Sequence, residues 1–77
     1  MMKIGILGGT FDPPHNAHLE IAKRAIKQFD LDKVIFIPSG NPWQKKDATP
    51  FIHRYEMTKI LIERSNKFEI SDVEKSE

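Results

Sequence analysis

Two short apolar runs constrain this chain more than anything else in it: Ile4, Gly5, Ile6 and Leu7 near the start, and Val34, Ile35, Phe36 and Ile37 farther on. Runs of this length without polar alternation read as strands buried on both faces, as in a parallel sheet. Gly8 and Gly9 stop the first, and a stretch from Pro38 through Ser39, Gly40 and Asn41 to Pro42 stops the second. Between them, residues 16–29 change period. Ala22, Ala25, Ile26 and Phe29 recur at helical spacing from His18, with Glu20, Lys23, Arg24 and Lys27 on the other side. A helix there supplies the crossover that two parallel strands require.

The pattern then repeats. Thr49 and Pro50 look like an N-cap followed by proline at the first helical position, and Met57, Ile60 and Leu61 form the stripe of a second helix that fades near Ser65 and Asn66. His53 falls on that stripe and is expected to pack, as is Tyr55. Phe68, Glu69, Ile70 and Ser71 alternate like a sheet-edge strand, and the tail from Glu74 is charged. The predicted fold class is therefore α/β: a Rossmann-like parallel sheet, β-α-β-α-β, the first half of a doubly wound fold. Such folds bind ligands beyond the carboxyl ends of the strands, at the switch point beside the first strand. With 77 residues there is room for one domain and one small core, since a chain of about 60 residues buries only about 60% of its unfolded surface.

Charge and cysteine usage exclude several classes of function. Lys and Arg number 12 against 11 Asp and Glu, for a net charge of +1, and they are dispersed, so neither nucleic acid nor a membrane surface is an expected partner. Cysteine is absent, which removes disulfides and thiolate chemistry and makes the cytoplasm the expected compartment. The first apolar run is too short for a signal peptide or a spanning helix.

The stretch GGTFDPPHNAH, residues 8–18, lies where the fold would bind a ligand. Without a Cβ, Gly8 and Gly9 let the backbone turn sharply and let its N–H groups approach an anion, although a plain strand-to-helix turn uses glycines equally well. The Thr10 hydroxyl either holds a phosphate oxygen or satisfies the turn. Asp12 is expected to face away and bind loop amides, because a carboxylate repels phosphate. Pro13 and Pro14 stiffen the approach. His15 and His18, three apart at the amino end of the first helix, can converge on one phosphate where free N–H groups and the helix dipole already favour an anion. Competing readings are a core His18, a capping His15, or a zinc pair, the last short of the three protein ligands a catalytic zinc takes. If the site reading holds, His18→Ala weakens phosphate binding with thermal stability nearly unchanged.

Residues 8–18 resemble the signature of the nucleotidyltransferase superfamily with the HxGH motif, specifically the bacterial nicotinate-nucleotide adenylyltransferases. Residues 37–45 look like that family's loop after the second strand, and His53, Arg54, Tyr55, Glu56 and Met57 look like the start of its next helix. The resemblance runs from about Lys3 to Val73, with Ala17 in place of the usual glycine. It implies transfer of the adenylyl group of ATP to nicotinate mononucleotide, with Mg2+ arriving on ATP and no protein metal ligands. It implies that His15 and His18 donate to the triphosphate. Gly9, Thr10 and Phe11 would then cradle phosphates, beside Gly8. From the later loop Asn41 belongs to the binding set and Lys45 would pair with a phosphate, while Trp43 either stacks on a ligand ring or caps the core. Members of the family are longer, with a second half that closes the site, so 1–77 is expected to be an incomplete domain. Its first strand would have an unpaired edge prone to homodimerisation or other self-association. Pantetheine-phosphate adenylyltransferase and a noncatalytic phosphate-binding fragment are the alternative readings.

Overall fold

In a computed structural model, residues 2–40 and 49–73 are described. Five elements follow one another: β1 (Ile4–Gly9), α1 (Asn16–Phe29), β2 (Lys33–Pro38), α2 (Phe51–Ile62) and β3 (Phe68–Ile70). The strands form one parallel sheet in the order β1-β2-β3, with Ile6 opposite Ile35 and Ile35 opposite Glu69. The α/β class and the β-α-β-α-β order are as predicted. The strand order does not reverse among the described residues, so β1 is an edge.

Each crossover steps the same way across the sheet, and right-handed crossovers then place both helices on one face. There α1 and α2 meet each other and the strands. Phe11, Ala22, Val34, Phe36, Ile62 and Phe68 make the core, with Leu7, Leu19, Ile26 and Ile70 packed against it. The other face carries Ile4, Ile6, Lys33, Ile35, Ile37 and Glu69, and no described element covers it. Burial therefore alternates along β1 and β2, and Ile6 is 68% exposed. This corrects the reading of strands buried on both faces: an apolar run records what a strand is built to bury, not whether the covering layer lies in the same stretch of chain.

Local details depart from expectation where tertiary contacts decide. Gly8 and Gly9 do not stop β1. They pair with Ile37 and Pro38, and the Ser39 amide donates to the Gly9 carbonyl at 2.7 Å. Gly5 is the more closely packed glycine: a Cβ there would stand 2.6 Å from Leu31 Cδ1, so the Leu31 side chain would have to move to admit one. Helix α1 has its predicted bounds and closes with Asp30 in the left-handed region (φ 54°), while the Leu31 amide reaches back to the Ile26 carbonyl. Phe29, read as core, is 59% exposed because it faces the open β1 edge, in a groove it shares with Gly5, Ile6, Ile21 and Leu31.

Helix α2 differs most. It starts one residue later than expected, with Pro50 at the N-cap and no side-chain cap, since the proline side chain carries no acceptor to offer the first turn, while the Thr49 amide donates to Asp12 Oδ2 at 2.9 Å. Its buried face is Phe51, Arg54, Thr58 and Ile62. The predicted stripe points elsewhere: Ile60 is 63% exposed, Met57 and Leu61 are half-buried, and His53 is exposed rather than packed. Two of the four inward residues are polar, so apolar periodicity selects the wrong face. Tyr55 does pack, 5.9 Å from the Phe51 ring.

Candidate phosphate-binding site

The chain leaves β1 through Thr10 and turns at Phe11, a non-glycine residue with φ 52°. Left-handed backbone is costly for a bulky side chain. Here burial offsets that cost: Phe11 is 2% exposed, its ring 5.8 Å from Phe36 and edge-on to His18 at 4.8 Å. The turn therefore owes its shape to an aromatic anchored in the core, while Gly8 and Gly9 stay extended. A Cβ on Gly8 or Gly9 would meet nothing closer than 3.5 Å, so the chain itself does not demand glycine there. Asp12 behaves as expected, turned toward the Thr49 amide.

Helix α1 opens beneath this turn. His15 is its N-cap and His18 its third residue. The His15 amide donates to His18 Nδ1 at 3.1 Å, the backward half of a capping box with imidazole in place of the usual Glu or Gln. A neutral imidazole that accepts at Nδ1 carries its proton at Nε2, so His18 is fixed as an Nε2–H donor. The rings of His15 and His18 lie 4.5 Å apart, the first exposed and the second half-buried. The bland readings of the pair thus hold in part, since His15 caps and His18 packs, yet both rings remain together over the open first turn of the helix. The Thr10 hydroxyl has no hydrogen-bond partner among the described residues, so the turn does not use it. Among the described residues, no group of three or more His, Asp or Glu side chains is placed to hold a metal ion.

Sequence reading missed Arg54. Its guanidinium is fully buried under the same corner. Nε donates to the Thr49 carbonyl at 2.7 Å, Nη1 to the carbonyls of Thr10 at 3.1 Å and Ser39 at 2.7 Å, and Nη2 to that of Gly40 at 3.1 Å. The group also sits 5.6 Å from the Phe51 ring centre. Only the neighbouring Phe51 and Thr58, at helical spacing, hint from sequence that Arg54 faces inward. Asn41, Trp43 and Lys45 lie outside the described residues. A second groove, of about 710 Å3, is lined by Leu19, Lys23, Leu61, Arg64 and Phe68, at the amino-terminal end of β3, and neither His15 nor His18 lines it.

A parallel α/β sheet whose first strand leads to two histidines at a helix amino terminus, beyond the carboxyl ends of the strands, has its candidate site where nucleotide-binding α/β folds take their ligands. Comparison with known proteins gives the family. Residues 6–77 match the cytidylyltransferase-like family, and the chain belongs to it. It is 53% identical over 76 residues to a probable nicotinate-nucleotide adenylyltransferase of Clostridium botulinum (strain Langeland), covering 96% of this chain and 38% of that protein. To the probable nicotinate-nucleotide adenylyltransferase of Leifsonia xyli it is 49% identical over 72 residues, 94% of this chain and 36% of the relative. The Plasmodium falciparum nicotinic acid mononucleotide adenylyltransferase complexed with NaAD superposes with a TM-score of 0.79 at 26% identity, over 95% of this chain and 38% of the other. The chain thus spans little more than a third of the length of these relatives.

Proposed function

We propose that this chain carries the triphosphate-binding part of an adenylyltransferase site, and that the protein it represents transfers the adenylyl group of ATP to nicotinate mononucleotide. A phosphate oxygen of the mononucleotide attacks the α-phosphorus of ATP, the bond from that phosphorus to the β-phosphate bridge breaks, and nicotinate adenine dinucleotide and pyrophosphate leave. No covalent nucleophile is required. Positioning and neutralisation of the charge growing on the phosphoryl oxygens do the work.

The observation that carries the reading is the hydrogen bond from the His15 amide to His18 Nδ1, which leaves the Nε2–H of His18 as a pre-set donor beside His15. The names of the relatives favour nicotinate mononucleotide as acceptor over phosphopantetheine. Thr10 contributes its hydroxyl, and Gly8, Gly9 and Phe11 contribute an approachable backbone. Asn41, Trp43 and Lys45 would complete the nucleotide contacts from the next loop. Magnesium enters as part of the substrate, held by phosphate oxygens and water, and the carboxylates described here form no cage for it. The cytoplasm is the proposed compartment, and no described helix is long and apolar enough to cross a membrane.

Pyrophosphate release tests the proposal, with MgATP and nicotinate mononucleotide, its amide counterpart or phosphopantetheine offered separately. Release selective for nicotinate mononucleotide, and reduced about 100-fold or more in His18→Ala, is the expected result, since one lost transition-state donor typically costs that much. ATP binding without turnover for any acceptor would instead support the noncatalytic fragment.

A further inference from the structure

Burying a guanidinium is expensive unless its N–H groups are satisfied. Arg54 is 0% exposed, and its partners come from three separate segments: Thr10 after β1, Ser39 and Gly40 after β2, and Thr49 before α2. All four acceptors are backbone carbonyls, and three of them follow the carboxyl ends of β1 and β2. In a trans peptide the carbonyl and the next residue's N–H point in opposite directions. The bonds joining Thr10 to Phe11 and Ser39 to Gly40 are trans. Drawing the Thr10 and Ser39 carbonyls in toward Arg54 therefore turns the amides of Phe11 and Gly40 outward. Neither amide has a hydrogen-bond partner among the described residues. Two outward donors above a buried positive charge suit a phosphate-type anion.

We propose that Arg54 is a positioning residue: without touching the ligand, its guanidinium orients the Phe11 and Gly40 amides so that both donate to a phosphate group held beside His15 and His18. The inference rests on the phosphate-site reading above. It adds Gly40 to the site and gives the buried face of α2 a part in binding. It also explains why a helix whose apolar pattern is poor spends its first inward turn on a cation.

The test is a series of 1H–15N spectra of the 77-residue chain titrated with inorganic pyrophosphate, for the natural sequence and for Arg54→Lys, which keeps the charge but loses the planar fork. Pyrophosphate should move the Phe11 and Gly40 amides in the natural chain. In Arg54→Lys both amides should be displaced before any ligand is added, with binding about tenfold weaker while the signals of β2 and β3 stay in place. A folded Arg54→Lys that binds pyrophosphate as tightly as the natural chain would overturn the positioning role. So would pyrophosphate that moves the His15 and His18 signals and leaves Phe11 and Gly40 unmoved, a result that spares the phosphate site itself. No response at any of these four residues would overturn the phosphate-site reading and the inference with it. Should Arg54→Lys unfold, the natural chain still decides: the Arg54 guanidinium signals must shift in step with the two amides, and guanidinium signals that stay fixed while the amides move would refute the coupling.

Discussion

His18 performs two tasks with one ring. Nδ1 accepts the His15 amide, and the ring edge packs against Phe11. Lost caps and lost aromatic pairs each cost about 1 kcal/mol. His18→Ala should therefore lower stability by about 2 kcal/mol, a fall of roughly 8–16 °C in melting temperature, as well as weakening ATP binding, which corrects the nearly unchanged stability expected from sequence. His18→Gln restores an acceptor at the third helical position but not the ring contact with Phe11, and should recover about half of that stability while ATP binding stays weak. Thermal melts followed by circular dichroism check the pair, and a glutamine variant that melts as low as the alanine one would contradict the capping role. At this scale the sequence was informative where chemistry is contiguous: residues 8–18 bring the histidines and the turn together because they adjoin along the chain. Arg54 was not legible, because its partners Thr10, Ser39 and Gly40 meet it only after both crossovers have formed.

At the scale of elements, the order of strands and helices and the bounds of α1 followed from apolar periodicity. The faces of α2 did not, because Arg54 and Thr58 occupy inward positions that a hydrophobic count assigns to solvent. Strand β1 exposes Ile4 and Ile6 on the uncovered side of the sheet, and the edge beside it opens onto Ile21 and Phe29. An unpaired edge with apolar flanks is a template for another chain. The isolated 77-residue chain is expected to self-associate in sedimentation velocity as its concentration rises. Ile6→Lys, which places a charge on the open face without entering the core, should shift the distribution toward monomer. A natural chain that stays monomeric across that concentration range would contradict the edge-pairing account.

The described residues form one layer of helices on one face of a three-stranded sheet. The chain's relatives are about two and a half times as long, with 38% of the Clostridium botulinum protein matched here. Within that span, β1, the Phe11 turn and the first turn of α1 place the two histidines together, and Arg54 ties the loop ends around them. The proposed role of this corner is to hold the phosphates of ATP. Its most direct test is a long-range 1H–15N correlation spectrum of the imidazoles as MgATP is added to the 77-residue chain, with the backbone amides followed alongside. His18 should be protonated at Nε2 before addition, with movement of that nitrogen and of His15 on binding, and amide changes confined to the neighbourhood of residues 8–18 and the loop ends around Arg54. A proton on Nδ1 of neutral His18, or changes centred on the Lys23 and Arg64 groove with the histidines unmoved, would contradict it.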